Sequence, residues 1–157
     1  WHSGWFGERG RLVGEGPSQG ARARSAGMKE NRLPDYLYHI QQAATDVCSF
    51  VEGLAKDDFL TDKRTQQAVI LSLIIIGEAA TKVMEGYAAF TQAHPEVPWR
   101  NMRGMRNRMA HGYFDIDLNV VWETAQEWLP ELLKQLPAVR QDADDEDRDS
   151  SERSKLC

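Results

Sequence analysis

The sequence predicts an all-α protein, an antiparallel bundle of four to five helices. Three observations carry this reading. Apolar residues recur at alternating steps of three and four over long stretches, as one face of a helix requires. No stretch alternates apolar and polar residues as a half-buried strand does. Residues that favour helix starts stand directly ahead of the periodic stretches.

A first helix is expected over about residues 34–54, with Pro34 at its first position. Leu33, Leu37, Ile40, Ala44, Val47, Val51 and Leu54 line one face, and Gly53 with Lys56-Asp57-Asp58 marks the end. A second helix is expected from Asp62, as N-cap, to about Glu85. Its run from Val69 to Ile76 is apolar nearly all round, which belongs to a central helix or a subunit interface. Gly86 and the Thr91–Pro98 stretch are expected as a connection, and a third helix as running from Pro98 toward Ala110. Gly112 and Asp115-Ile116-Asp117 form a turn, with Asp117 capping a last helix over about 118–136. Its apolar face is Leu118, Val121, Trp122, Ala125, Leu129, Leu132, Leu133 and Leu136, and Pro130 inside it should bend it.

The 157 residues make one domain with tails. Hydrophobic residues at 41% and charged residues at 27% are ordinary for a globular chain and exclude disorder throughout. Residues 1–27 carry recurrent glycines and no apolar period, so they are expected as a disordered extension, with Met28 as the natural start. Residues 28–140 form the folded domain. Residues 141–157 are expected as a disordered acidic tail, because Asp142, Asp144, Asp145, Glu146, Asp147, Asp149 and Glu152 repel one another. The longest near-continuous apolar run, Ala68–Ile76, falls short of the roughly 20 residues of a membrane span, and no signal peptide is expected. Two cysteines, Cys48 and Cys157, exclude a disulfide scaffold and a Cys-based zinc site, and a reducing cytoplasm is the expected location. No Glu-x-x-His pair or glycine-rich phosphate loop is present, so no metal and no cofactor is expected.

The net charge of −5 excludes a generally basic nucleic-acid coat but allows a local basic patch. One exists. Arg100, Arg103, Arg106 and Arg108 fall within nine residues. Guanidinium forks grip phosphate oxygens bidentately. His111 stands beside them and can move a proton near neutral pH, and Tyr113 adds a hydroxyl. Such a set suits RNA cleavage, where the 2′-hydroxyl loses a proton, the leaving oxygen gains one, and no metal is needed. Arg106 and His111 are five residues apart, about 140° around a helix, whereas Asn107 and His111 share a face. Either the helix ends near His111, or the arginine wraps, or the site joins groups from two subunits. Glu78, an acid in an apolar helix, must find a partner, and an arginine of the cluster would serve. Trp99, Trp122 and Trp128 are expected to pack the bundle, with base stacking on Trp99 or Tyr113 as the functional alternative. Cys48 is expected to be inert, His39 to lie on the rim of the first helix and His94 in a loop. From these residues alone, a solvated helix face, a phosphate clamp and a catalytic site all remain open.

Arg106, four residues, His111, one residue, Tyr113 resembles the R-x-x-x-x-H-x-Y signature of HEPN domains, specifically of HepT-like ribonuclease toxins. The surroundings resemble that family too: Pro95-Glu96-Val97-Pro98-Trp99, Gly104-Met105-Arg106-Asn107, His111-Gly112-Tyr113-Phe114, Val121-Trp122-Glu123 and Leu129-Pro130-Glu131-Leu132. So do Asp35-Tyr36-Leu37-Tyr38-His39-Ile40 and Ile76-Gly77-Glu78-Ala79-Ala80, which extends the likeness over roughly residues 33–137. The resemblance implies a HEPN-like bundle that dimerises and places two motifs in one cleft. It implies a metal-independent endoribonuclease, with Arg106 and His111 catalytic and Asn107, Arg103, Arg108 and Glu78 supporting or binding RNA. It further implies the toxin of a type VII-like toxin–antitoxin pair, partnered by a minimal nucleotidyltransferase antitoxin that can transfer AMP to Tyr113. The alternative expectation is a non-catalytic helical module that binds a nucleotide or a nucleotidyltransferase.

Overall fold

The computed structural model describes residues 32–156. The expected N-terminal extension and the Met28 start lie outside the described residues.

Helix α1 (Leu33–Val51) starts one residue before Pro34, which takes its second position, and the Asp35 carboxylate accepts the Arg32 backbone N–H at 2.8 Å. Its expected apolar face is its buried face, from Leu33 through Val51. The helix stops three residues earlier than expected because Gly53 turns the chain at φ +77°, a conformation that glycine adopts without penalty. A short helix, α2 (Lys56–Thr61), follows where only a helix end was expected. It buries Phe59, whose ring lies 5.3 Å from that of Trp122.

Helix α3 (Lys63–Gly86) is capped as the sequence predicts, with Asp62 accepting from the Thr65 N–H at 3.2 Å and hydroxyl at 2.6 Å. It is the central element, with α1 on one side and α5 on the other. Val69, Leu73, Ile76, Ala80 and Val83 are buried, but Leu71 and Ile75 face outward. By length and mean hydropathy, 1.6 over its most apolar 18 residues, α3 is also long and apolar enough to cross a membrane, and half of that stretch is buried in the bundle.

The expected connection contains a further short helix, α4 (Ala88–Ala93), which buries Phe90. Helix α5 (Trp99–His111) leads through a 3-10 turn (Tyr113–Asp115) to α6 (Leu118–Glu123), capped by Asp117 through the Asn119 N–H at 2.9 Å. A π-helical turn (Thr124–Trp128) joins α6 to α7 (Leu129–Lys155), which packs on α1. The order across the bundle is thus α5, α3, α1, α7. Pro130 lies inside a helical run that is continuous from α6 through the π turn into α7, and the π turn directly ahead of it is the local irregularity that accommodates its missing N–H.

The expected disordered acidic tail is helical instead, since α7 continues unbroken to Lys155. Val139 and Ala143 extend the buried stripe past residue 140, and specific contacts offset the repulsion. Arg32 pairs with Asp147 at 3.1 Å and Arg148 with Asp145 at 2.6 Å. His94, expected only as a loop residue, holds the arm from the other side. Its Nδ1 lies 2.8 Å from Glu96 Oε1 and its Nε2 3.3 Å from Asp142 Oδ2, with the ring 4.5 Å from that of Phe90.

Two expectations follow. Replacing the cap, Asp62→Ala, should lower the midpoint of urea unfolding. Glu96 should make the fold acid-sensitive. Burial pushes its carboxyl pKa up, but the His94 hydrogen bond, a backbone N–H and the imidazole charge together hold it below the usual range. A lowered folded-state pKa contributes stability above the unfolded-state value, and that stability is lost as pH falls through the folded one. Glu96→Gln should therefore flatten the acid limb of melting temperature against pH. An unchanged limb would mean that the contact is energetically silent.

Candidate active site

Helix α5 divides its side chains by period. Trp99, Met102, Met105 and Met109 are buried, at helical spacing. Arg106 flanks that stripe on the side of α3. Its Nη1 donates to Glu78 Oε2 at 2.6 Å, with the two side chains 25% and 49% exposed. The partner expected for Glu78 is thus found within the arginine cluster. Arg106 Nε is itself buried and meets no acceptor. The guanidinium is consequently held at one end, while its stem lies along the α3 surface.

His111 is the last residue of α5 and is exposed. The last α-helical bond runs from the Gly112 N–H to the Arg108 carbonyl at 2.9 Å, and the helix ends as Gly112 leaves the helical conformation (φ −131°, ψ 36°) and the chain tightens into the 3-10 turn. His111 lines a cleft of about 220 Å³ with Asn107, Arg108, Gly112, Asp115, Ile116, Asp117 and Val120. Asn107 and Arg108 therefore gather with His111. Arg106, nearly half a turn away around the helix, points to α3, and Arg103 is half-buried and outside this cleft. The two acids of the cleft, Asp115 and Asp117, read from the sequence as turn residues, Asp117 also as a helix cap, and not as site residues.

Tyr113 lies on the other side of this turn. It is 63% exposed, and its ring sits 4.4 Å from that of Phe114, itself 87% exposed. Both border a shallow groove of about 440 Å³ against Gln66, Gln67, Ile70, Leu71 and Ile74 of α3. Ile116 lines both the groove and the His111 cleft, so the two are neighbours.

The remaining candidates serve the fold. Trp99 is buried and its Nε1 donates to the His94 carbonyl at 3.0 Å, so it offers no face to a base. Trp122 packs on Phe59. Cys48 is half-buried, and burial pushes its thiol pKa up, which disfavours the reactive thiolate. His39 is exposed on the α1 rim, edge-on to Tyr38 at 5.7 Å.

Chemically, the end of α5 offers an exposed imidazole, arginines suited to phosphate oxygens, and carboxylates that can position either. Because the Glu78–Arg106 pair is half open to solvent, Glu78→Ala should cost under about 1 kcal/mol in chemical denaturation. A loss of about 3 kcal/mol or more would instead mark a fully desolvated pair.

A family model described as ribonuclease HepT-like matches residues 40–139. "Probable ribonuclease HepT" of Thermococcus cleftensis is 41% identical over 106 residues, which are 68% of this chain and 94% of that protein. A Methanocaldococcus jannaschii protein named as a candidate RNase is 35% identical over 123 residues, 78% of this chain and 99% of its own length. A similarly named protein of Caldanaerobacter subterraneus is 36% identical over 106 residues, 68% and 92% of the two chains. No solved structure matches the chain. With the fold, the motif and the matched span in agreement, the chain belongs to the HepT-like ribonuclease family.

Proposed function

We propose that the protein is a metal-independent endoribonuclease, the toxin of a toxin–antitoxin pair acting in the cytoplasm. The observation that carries the reading is the intact Arg106–His111–Tyr113 motif at the open end of α5, with His111 lining a cleft and Arg106 anchored by Glu78. In the reaction, the 2′-oxygen of a ribose attacks the adjacent phosphorus and the bond to the 5′-oxygen breaks. The products are a 2′,3′-cyclic phosphate and a 5′-hydroxyl. His111 carries a proton between the attacking or leaving oxygen and solvent. Arg106 neutralises charge building on the phosphoryl oxygens, while Asn107, Arg103 and Arg108 hold the strand.

The site is completed by a second copy of the chain. Leu71, Ile75 and Phe114 form an apolar exposed surface beside the motif, which favours burial against a partner. The divergence of Arg106 and His111 around α5 favours pairing the arginine of one copy with the histidine of the other. Control rests with a minimal nucleotidyltransferase antitoxin that transfers AMP to Tyr113. The accessibility of that side chain supports this step, and an adenylate there adds negative charge where RNA phosphate must sit.

The test is cleavage of single-stranded RNA by the purified full chain. His111→Ala and Arg106→Ala should each lower the rate about 100-fold or more, with helix content and dimer mass unchanged. Equal cleavage by wild type and both variants would trace the activity to a contaminant. A folded wild type without activity would leave the non-catalytic module. Incubation with the antitoxin and ATP should add one adenylyl group, which Tyr113→Phe abolishes. An adduct on the Phe variant would refute the assignment.

A further inference from the structure

Two glycines lie in α3, and they differ in what surrounds them. At Gly86 an added Cβ would meet nothing within 4 Å. At Gly77, which is buried, it would fall 2.5 Å from the Met102 carbonyl oxygen, 3.2 Å from Arg106 Cα, and closer still to Arg106 Cβ. Helices α3 and α5 therefore cross backbone against backbone at Gly77, and the turn of α5 that meets it is the turn from which Arg106 departs. A helix interior is weakened by glycine relative to alanine, so the site keeps a poor helix former where nothing larger fits. The next residue in α3 is Glu78, the acceptor of the Arg106 Nη1 hydrogen bond at 2.6 Å. Arg106 Nε, in the same side chain, is buried and meets no acceptor.

We infer that Gly77 is a positioning residue for Arg106. The missing side chain lets α5 approach α3 until the Arg106 stem lies flat on it and the guanidinium reaches Glu78. A methyl group at 77 pushes against the Arg106 backbone and Cβ, and the guanidinium moves with them. Displacement of a catalytic group by about 1 Å can cost on the order of a hundredfold in rate. The ionic contact from Glu78 fixes the far end of the side chain, and Gly77 fixes where it begins. This inference rests on the reading of Arg106 as a catalytic group, and its structural half is measurable without RNA.

The experiment compares Gly77→Ala with Gly86→Ala and Leu37→Ala in the full chain. Gly86→Ala is the same change in open space, and Leu37→Ala lowers stability from buried α1, far from the motif. Gly77→Ala should lower kcat for a fluorescent single-stranded RNA about 10- to 100-fold, with KM within about twofold. Both controls should keep the wild-type kcat below their melting temperatures. The Arg106 Nε–H signal in a 1H–15N spectrum should shift and exchange faster with water in Gly77→Ala and in neither control. An unmoved Arg106 signal, a kcat within twofold of wild type, or an equal loss of kcat in Leu37→Ala would overturn the inference. If wild type cleaves no RNA, the ribonuclease reading falls and the Arg106 signal alone decides the positioning role. If Gly77→Ala does not fold, the contact governs the fold rather than the placement of Arg106, and the inference is overturned.

Discussion

The close crossing of α3 and α5 is the constraint on which the rest of the site depends. Three methionines and Trp99 bury one face of α5, but apolar burial is non-directional and does not by itself fix where a helix sits along its neighbour. The Gly77 contact and the Glu78–Arg106 bond supply that register. Once α5 is fixed, its last residue, His111, is fixed too. The Gly112 stop and the 3-10 turn then set the cleft wall and carry Tyr113 to the opposite side.

This arrangement separates groups that are neighbours in sequence. Arg106 is held beside α3, His111 opens onto a cleft shared with Asn107 and Arg108, and Tyr113 stands outside over an apolar groove. A basic helix end in a chain of net charge −5 concentrates attraction for phosphate at one place, while the acidic C-terminal half of α7 packs by the start of α1 and against His94, in the loop that leads into α5. His94 and Arg32 tie that acidic half down through Asp142 and Asp147. Repulsion among the acids is thereby offset without drawing on the α5 arginines.

The long helices were legible because each buries one periodic stripe, and their caps were legible where a side chain does the capping, as at Asp62 and Asp117. Helices α2 and α4 were not, since six residues hold too few turns for a period and each buries a single aromatic, Phe59 or Phe90. The π turn has no signal of its own in the sequence, because proline can be accommodated either by a bend or by a shift in register, and composition does not distinguish them. The acidic arm read as disordered because its charges outnumber its apolar residues. What orders it, Ala143 against the core and a histidine some fifty residues upstream, is tertiary. The motif residues were identifiable by spacing and the Glu78 partnership by desolvation. The division of Arg106 from His111 was foreseen as a difficulty of angle, and Gly77 stood in the sequence only as part of a resemblance.

We propose that Arg106 and His111 act together although one helix points them apart, the arginine of one copy serving the histidine of the other. Co-expression of an Arg106→Ala chain and a His111→Ala chain on different tags, with purification of the mixed dimer, tests this directly. Each parent dimer should be inactive toward RNA, and the mixed dimer should cleave, because it retains one arginine and one histidine on facing copies. A mixed dimer as inactive as its parents would contradict the account and require both groups to act within a single chain.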